Sequence, residues 1–304
     1  MLSSCGSQMV IVFFLLSAFV ISSSFEKKSS LIQFAKIRLL RIYIPFLASV
    51  LISTIVLFFC NNYLINDFDG SEFPKRMIIS YNNIDINMLL HTLVFRTYNG
   101  YLGFNFAYWS LFHEAIYYIL CPFYIKLNTK MLIYLTCVFY FIAIFFHLKI
   151  LYYQSFFVIG TLIYKYLYQQ EKKIMLSKFT LCLLIIVFYC IMNVFVKFNM
   201  YYFGDAICIL LYISGLYVLL TTKIVIPKIL AMISTQSYSL YLFHIPILML
   251  YYSILSLFTD TNIFYSRIPY YTGVIVAVLF NIPLYYAFEY QSLKLISKLK
   301  KKYE

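Results

Sequence analysis

The chain has 304 residues, of which 63% are hydrophobic and only 12% charged, with a net charge of +13. That is too little charge to cover a soluble surface, since soluble domains carry roughly a quarter of their residues charged. Apolar stretches of about 18 to 23 residues can each cross a hydrocarbon core of roughly 30 Å as a helix. The expected fold is therefore all-α, a polytopic integral membrane helical bundle. A soluble enzyme, a secreted disulfide scaffold, a coiled coil and a DNA-binding factor are excluded, and with the last any nucleic-acid partner. The ~10-residue alternation of an outer-membrane barrel is absent.

Taken in chain order, the apolar runs predict nine spans: 8–25, 42–63, 107–126, 131–148, 152–168, 176–197, 204–222, 236–258 and 268–290. The stretch 86–95 is too short to span and reads as a re-entrant or interfacial helix. Alternating sides puts the bases at 27, 28, 36, 38, 41, 126, 130, 165, 172, 173, 178, 223, 228, 294, 298, 300, 301 and 302 on one side. Those at 75, 76, 96, 149, 197 and 267 fall on the other, a split of 18 to 6 of the 24. By the positive-inside rule the first side is cytoplasmic. Residues 64–106 form an extracytoplasmic loop, mildly acidic with Asp67, Asp69, Glu72 and Asp85, and residues 291–304 form a basic cytoplasmic tail suited to anionic headgroups. The whole of 1–304 reads as a single membrane domain. The seven cysteines (5, 60, 121, 137, 182, 190, 208) form no CxxC and mostly lie in apolar runs, so they read as small core residues. There is no P-loop, GxSxG, HExxH or zinc pattern and hence no expected metal or bound cofactor.

Polar groups inside a bilayer are expensive, which makes them the first candidates for function. The segment Phe13 to Phe19 carries Ser17, and the cytoplasmic Lys36 to Pro45 segment carries Arg38 and Arg41, three apart and so able to share a helical face toward one phosphate. Equally, they are the anchors that any cytoplasmic loop should have. Trp109 and Ser110 open the span that carries His113 and Glu114. A carboxylate there requires a partner or a wet cavity, and Tyr117 and Tyr118 follow it at i+3 and i+4. Later, Ser237, Tyr241 and His244 form a polar stripe at i, i+4 and i+7, beside Tyr238. Pro246 frees a backbone carbonyl one turn earlier. His244 reads either as a functional histidine or as an interhelical hydrogen-bonder. Glu289, near the cytoplasmic end of the last span, reads as the partner of nearby lysines.

The pieces FFLLSAF, RLLRIYIP, YWSLFHEAIYYILCP, FFVIGTLIY (156–164) and STQSYSLYLFHIPIL, in this order, resemble acyltransferase family 3, the polytopic bacterial O-acyltransferases, over nearly the whole chain. The resemblance implies a ten-helix domain of the cytoplasmic (inner) membrane. Its members take an acyl group, commonly acetyl, from cytoplasmic acyl-CoA as co-substrate and place it on a hydroxyl of an envelope glycan or lipid-linked sugar. Arg38 and Arg41 match the family's RxxR pair that handles the CoA donor, and Ser17, which matches the serine of FFxxSG, is grouped with them as a donor-binding residue. Trp109, Ser110, Leu111 and Glu114 match WSLxxE; Ser237, Tyr238, Tyr241 and His244 match the late SYxxYLxH segment. With the donor and acceptor in hand, Glu114, His113 and His244 are the candidate catalytic groups.

Two local departures are Ala18 in place of the motif's glycine, and Gln291-Ser292 where the family often has a proline. The family's first helix, with an arginine and the histidine proposed as base, has no counterpart: the chain begins where the family's second helix begins. The N-terminus falls outside, ahead of a span with no preceding base, and the first lysine is Lys27, so residues 1–25 do not form a cleavable signal. The expectation is an acyltransferase whose 304-residue form is mis-started or an inactive remnant, which the DNA immediately upstream decides. A glycan flippase or polymerase shares the many spans, but a polymerase would be expected to have a basic outer loop.

Overall fold

The computed structural model describes residues 6–26, 30–64, 72–168, 212, 215, 227–258 and 267–303. Every regular element among them is helical: α1 (Gly6–Glu26), α2 (Leu31–Phe59), α3 (Glu72–Asn82), α4 (Ile86–Leu93), α5 (Trp109–Lys126), α6 (Thr129–Phe145), α7 (Lys149–Ile163), α8 (Lys228–Thr235), α9 (Ser237–Ser256), α10 (Arg267–Leu284) and α11 (Tyr290–Tyr303). Wider π-type turns extend α2 over Cys60–Leu64 and α7 over Tyr164–Tyr168, and join α10 to α11 over Tyr285–Glu289.

Among the described residues three helical stretches are long and apolar enough to cross a membrane, Leu31–Tyr63, Ser237–Leu255 and Ile268–Leu299, and two shorter apolar ones are Val10–Phe25 and Thr129–Phe145. The predicted spans 176–197 and 204–222 lie outside the described residues, apart from 212 and 215. The all-helical fold expected is thus observed among the described residues, with three candidate spans, while the count of nine rests on the sequence. One boundary differs clearly: α2 starts at Leu31 rather than at residue 42. Residues 31–41, read from their bases as lying on the cytoplasmic side of the span, continue the helix, with Phe34, Ile37, Arg38 and Ile42 buried at helical spacing so that the charged turns are held by packing.

The faces of α2 reverse the pattern of a soluble helix. Leu47, Leu51, Ile55 and Phe58 are exposed, whereas Ser49 and Ser53 are buried beside Phe46, Val50 and Leu57. An apolar outer stripe and a polar inner one suit lipid outside and hydrogen bonding inside.

By contacts the chain divides into two compact units, one formed by Met1–Phe34 and His113–Val225, the other by Ala35–Phe112 and Ile226–Glu304. In the first, α1 crosses α7 at very short range. A Cβ added at Gly160 would stand 2.5 Å from the Ala18 Cβ and 2.6 Å from the Leu15 carbonyl oxygen. Small residues at both positions permit this approach, and Tyr117 of α5 stacks on Phe157 at 4.4 Å to close the core. Ala18 is helical, so its replacement of the motif's glycine needs no positive φ.

In the second unit, α9 packs along α10, and Leu57, Cys60, Met77, Ala107, Ile245 and Met249 form an apolar core. The segment before α5 folds tightly onto α2: Gly103 has φ +75° and its missing Cβ would lie 2.5 Å from that of Ser53. Only glycine meets both demands. The stretch expected to be re-entrant or interfacial forms α4, whose N-terminus is capped by Asp85 accepting from the Met88 N–H at 2.6 Å. Cys60 and Cys121 are buried free thiols as expected, and Cys137 is exposed on α6.

Candidate active site

In the first unit the polar residues gather around Glu114. The first turns of α5 bring it against the middle of α1, where its Oε1 accepts from Ser17 Oγ at 3.0 Å and from the Tyr118 hydroxyl at 2.6 Å. Glu114 is only 4% exposed, and its Oε2 accepts no hydrogen bond among the described residues. One carboxylate oxygen is therefore locked by two hydroxyl donors and the other remains a buried acceptor. Tyr118 was visible in the sequence as the i+4 neighbour; Ser17, 97 residues away, was not.

Tyr117, the i+3 neighbour, turns to a separate brace. Its hydroxyl contacts Thr161 Oγ1 at 2.9 Å and Ser22 Oγ at 3.2 Å, tying α5 to α7 and α1. His113 packs with its ring centroid 4.6 Å from Tyr153 and 6.2 Å from Phe14, and its backbone carbonyl accepts from Gln154 Nε2 at 3.0 Å. Its ring is thus set among aromatic neighbours, while Glu114 faces α1.

In the second unit, Tyr241 donates to the Ala107 carbonyl at 2.6 Å and shares a 2.5 Å hydrogen bond with Ser110 Oγ. A phenol has one proton, so with it committed to Ala107 the serine supplies the other. The WSL segment and the late polar stripe are joined here by long-range bonds. Trp109 is partly buried at the start of α5. Tyr238 donates to the Ile42 carbonyl at 3.0 Å, and Ser237 lies exposed at the start of α9. His244 bonds through Nδ1 to the Tyr241 carbonyl at 2.8 Å and the Leu240 carbonyl at 3.1 Å. Carbonyls only accept, so Nδ1 carries a proton, which leaves Nε2 as the nitrogen that holds the lone pair whenever the ring is neutral.

The carbonyl that Pro246 leaves without its helical donor is that of Leu242, one turn earlier. It accepts from Asn105 Nδ2 at 2.8 Å and Ser49 Oγ at 2.9 Å. Asn105 also donates to Ser53 Oγ at 3.2 Å, and Tyr108 bonds to Ser49 at 2.9 Å. Close by in the outer segment, Tyr101 donates to the Phe95 carbonyl at 3.3 Å, its pKa pushed up to about 12 by burial, so it stays a neutral donor at ordinary pH.

The two arginines differ in setting. Arg38 is 5% exposed inside α2, whereas Arg41 lies on the surface. The charge of Arg41 acts on Glu289, which is buried in the π turn between α10 and α11. Glu289 accepts from the Ser239 N–H at 2.9 Å and from Ser239 Oγ. That N–H belongs to the first turn of α9, where helical donors lack partners. The carboxylate expected to pair with lysines instead caps a helix.

The acyltransferase domain family model matches residues 1–286. The chain belongs to acyltransferase family 3. No curated protein and no solved structure matches it. The match runs through both compact units of the acyltransferase and takes in the FFxxSG-like, RxxR, WSLxxE and SYxxYLxH residues, while Glu289, Gln291 and Ser292 lie beyond it. As a family 3 acyltransferase the chain transfers groups other than amino-acyl groups, in a membrane setting consistent with its apolar helices.

Sequence reading passed over Asn105, Ser49 and Ser53 of this acyltransferase. The serines did leave a signal, being two hydroxyl residues at i and i+4 in the apolar middle of a span. Asn105 left none, because an asparagine just after Gly100 and Gly103 looks like ordinary loop chemistry.

Proposed function

We propose that the chain is a multi-pass bacterial inner-membrane O-acyltransferase that moves an acetyl group from cytoplasmic acetyl-CoA to a hydroxyl of an envelope glycan or lipid-linked sugar. The observation that carries this reading is the Glu114 carboxylate, with Oε1 fixed by Ser17 and Tyr118 and Oε2 buried without a hydrogen bond among the described residues. Moving an acyl group from a thioester to an alcohol requires a group to take the hydroxyl proton. A fixed carboxylate with one acceptor oxygen held in reserve suits that task.

Arg38 and Arg41 take the CoA phosphates in this reading, since guanidinium forks pair with phosphate oxygens. Both lie at the end of α2 that the distribution of bases assigns to the cytoplasm. His244, with Nε2 as its basic nitrogen, and His113 are the further candidates for proton handling. Trp109, Ser110, Tyr117, Ser237, Tyr238 and Tyr241 serve to build the frame or meet the acceptor.

The test uses membranes from cells expressing the chain, incubated with acetyl-labelled CoA and scored for alkali-labile label on envelope glycan. The reading expects label above that of membranes without the chain, and a raised KM for acetyl-CoA in the Arg38→Ala/Arg41→Ala variant. No label on glycan from a folded, membrane-inserted protein contradicts it.

A further inference from the structure

We infer that Ser17 is the acyl carrier of this enzyme: the acetyl group rests on its Oγ as an ester between the donor and acceptor half-reactions. The inference rests on the acyltransferase reading of Glu114 and assigns Ser17 chemistry beyond donor binding.

Three observations in the first unit converge on this hydroxyl. Ser17 Oγ donates to Glu114 Oε1 at 3.0 Å, so a proton acceptor is already in contact with it. The Tyr118 hydroxyl bonds to the same oxygen at 2.6 Å and fixes its position. Glu114 is nearly fully buried and its Oε2 accepts no hydrogen bond among the described residues, so it can take a second proton contact without releasing Ser17. A hydroxyl nucleophile is weak until an adjacent base takes its proton, and the serine–carboxylate pair supplies that relation.

The position of Ser17 gives such a carrier a purpose. It lies eleven residues from Gly6 and nine from Glu26 in α1, about 16 Å from one helix end and about 14 Å from the other at 1.5 Å per residue. A donor arriving from the cytoplasm and a glycan arriving from outside approach opposite ends of such a helix. A carrier near its middle lets each react in turn, so the two large substrates never need to meet in one site.

The chemistry balances with the two substrates alone. In the first half-reaction Ser17 Oγ attacks the thioester carbonyl, its proton passes to Glu114, the C–S bond breaks, and the departing thiolate takes the proton from Glu114 to leave as CoA. In the second, the acceptor hydroxyl attacks the acetyl-serine carbonyl while Glu114 takes its proton. The bond from the carbonyl carbon to Oγ then breaks, and Glu114 returns a proton to Ser17.

The experiment incubates the purified full chain in detergent with acetyl-labelled CoA and no acceptor, quenches in acid and maps the label by peptide mass spectrometry, alongside transfer to glycan with acceptor present. The expected result is near-stoichiometric acetyl on the peptide bearing Ser17, matched by a burst of released CoA, discharged on adding acceptor, and absent in Ser17→Ala. Ser17→Cys should carry the group as a thioester that neutral hydroxylamine removes, which separates a lost nucleophile from a lost fold. Steady-state rates should give parallel double-reciprocal lines. If glycan transfer proceeds while Ser17 stays unlabelled, or Ser17→Ala transfers within twofold of the parent, the carrier is overturned and the acyltransferase reading stands. If neither label nor transfer is seen with folded protein, both fall.

Discussion

A single buried acceptor decides how well the second unit holds together. The Leu242 carbonyl, freed by Pro246, relies on Asn105 and Ser49. Asn105→Leu removes one donor and keeps the volume roughly constant, so it should cost about 1–3 kcal/mol, seen as a lower thermal unfolding midpoint in detergent; an unchanged midpoint would mean the carbonyl is satisfied in some other way. The same logic predicts that Ser49→Ala loses less, because Asn105 still donates. The sequence made Pro246 and its orphaned carbonyl legible, because a missing N–H is a local fact. It could not make the partner legible, since Asn105 reaches that carbonyl across 137 positions. Glu114 divides in the same way: its burial followed from its place in an apolar span, and Tyr118 from helical spacing, but its bond to Ser17 is a product of tertiary packing. Glu289 was misread for a related reason, because a carboxylate near lysines looks like half of an ion pair until the first turn of α9 is placed against it.

At the scale of elements, the contact of α1 with α7 depends on two small side chains. Gly160→Val adds bulk where even a Cβ would stand 2.5 Å from Ala18. The helices must then part, disturbing the Tyr117 brace to Ser22 and Thr161. Overpacking of this kind typically costs about 1–3 kcal/mol or more, so the yield of monodisperse protein on size exclusion should fall sharply. Ala18→Gly relieves the same contact and should behave like the parent; equal behaviour of the two variants would refute the close-approach account. Helix starts proved harder to read than helix existence. α2 begins at Leu31 because Phe34, Ile37 and Arg38 pack, a property that a hydropathy window scores poorly when lysine and arginine share the turns. The motif pieces in α1, α5, α7 and α9 were all legible as elements, whereas their grouping into Ser17–Glu114 in one unit and Ser110–Tyr241 in the other was not.

For the whole molecule, the asymmetry of the bases predicts an orientation that labelling can check. A cysteine at Asn83, exposed between α3 and α4, should react with a membrane-impermeant maleimide in intact spheroplasts. A cysteine at Lys294, exposed on α11, should react only after the membrane is opened; the reverse pattern would invert the topology and take the arginines away from a cytoplasmic donor. The central claim is that an acyltransferase of this family works through the Glu114 carboxylate. The most direct measurement is the acetyl-transfer rate of Glu114→Gln against the parent, at equal amounts of folded protein. The amide can still accept from Ser17 but cannot take a proton, so transfer should fall by about 10²–10⁴-fold with the unfolding midpoint little changed. A Glu114→Gln enzyme transferring within a fewfold of the parent rate would contradict the account.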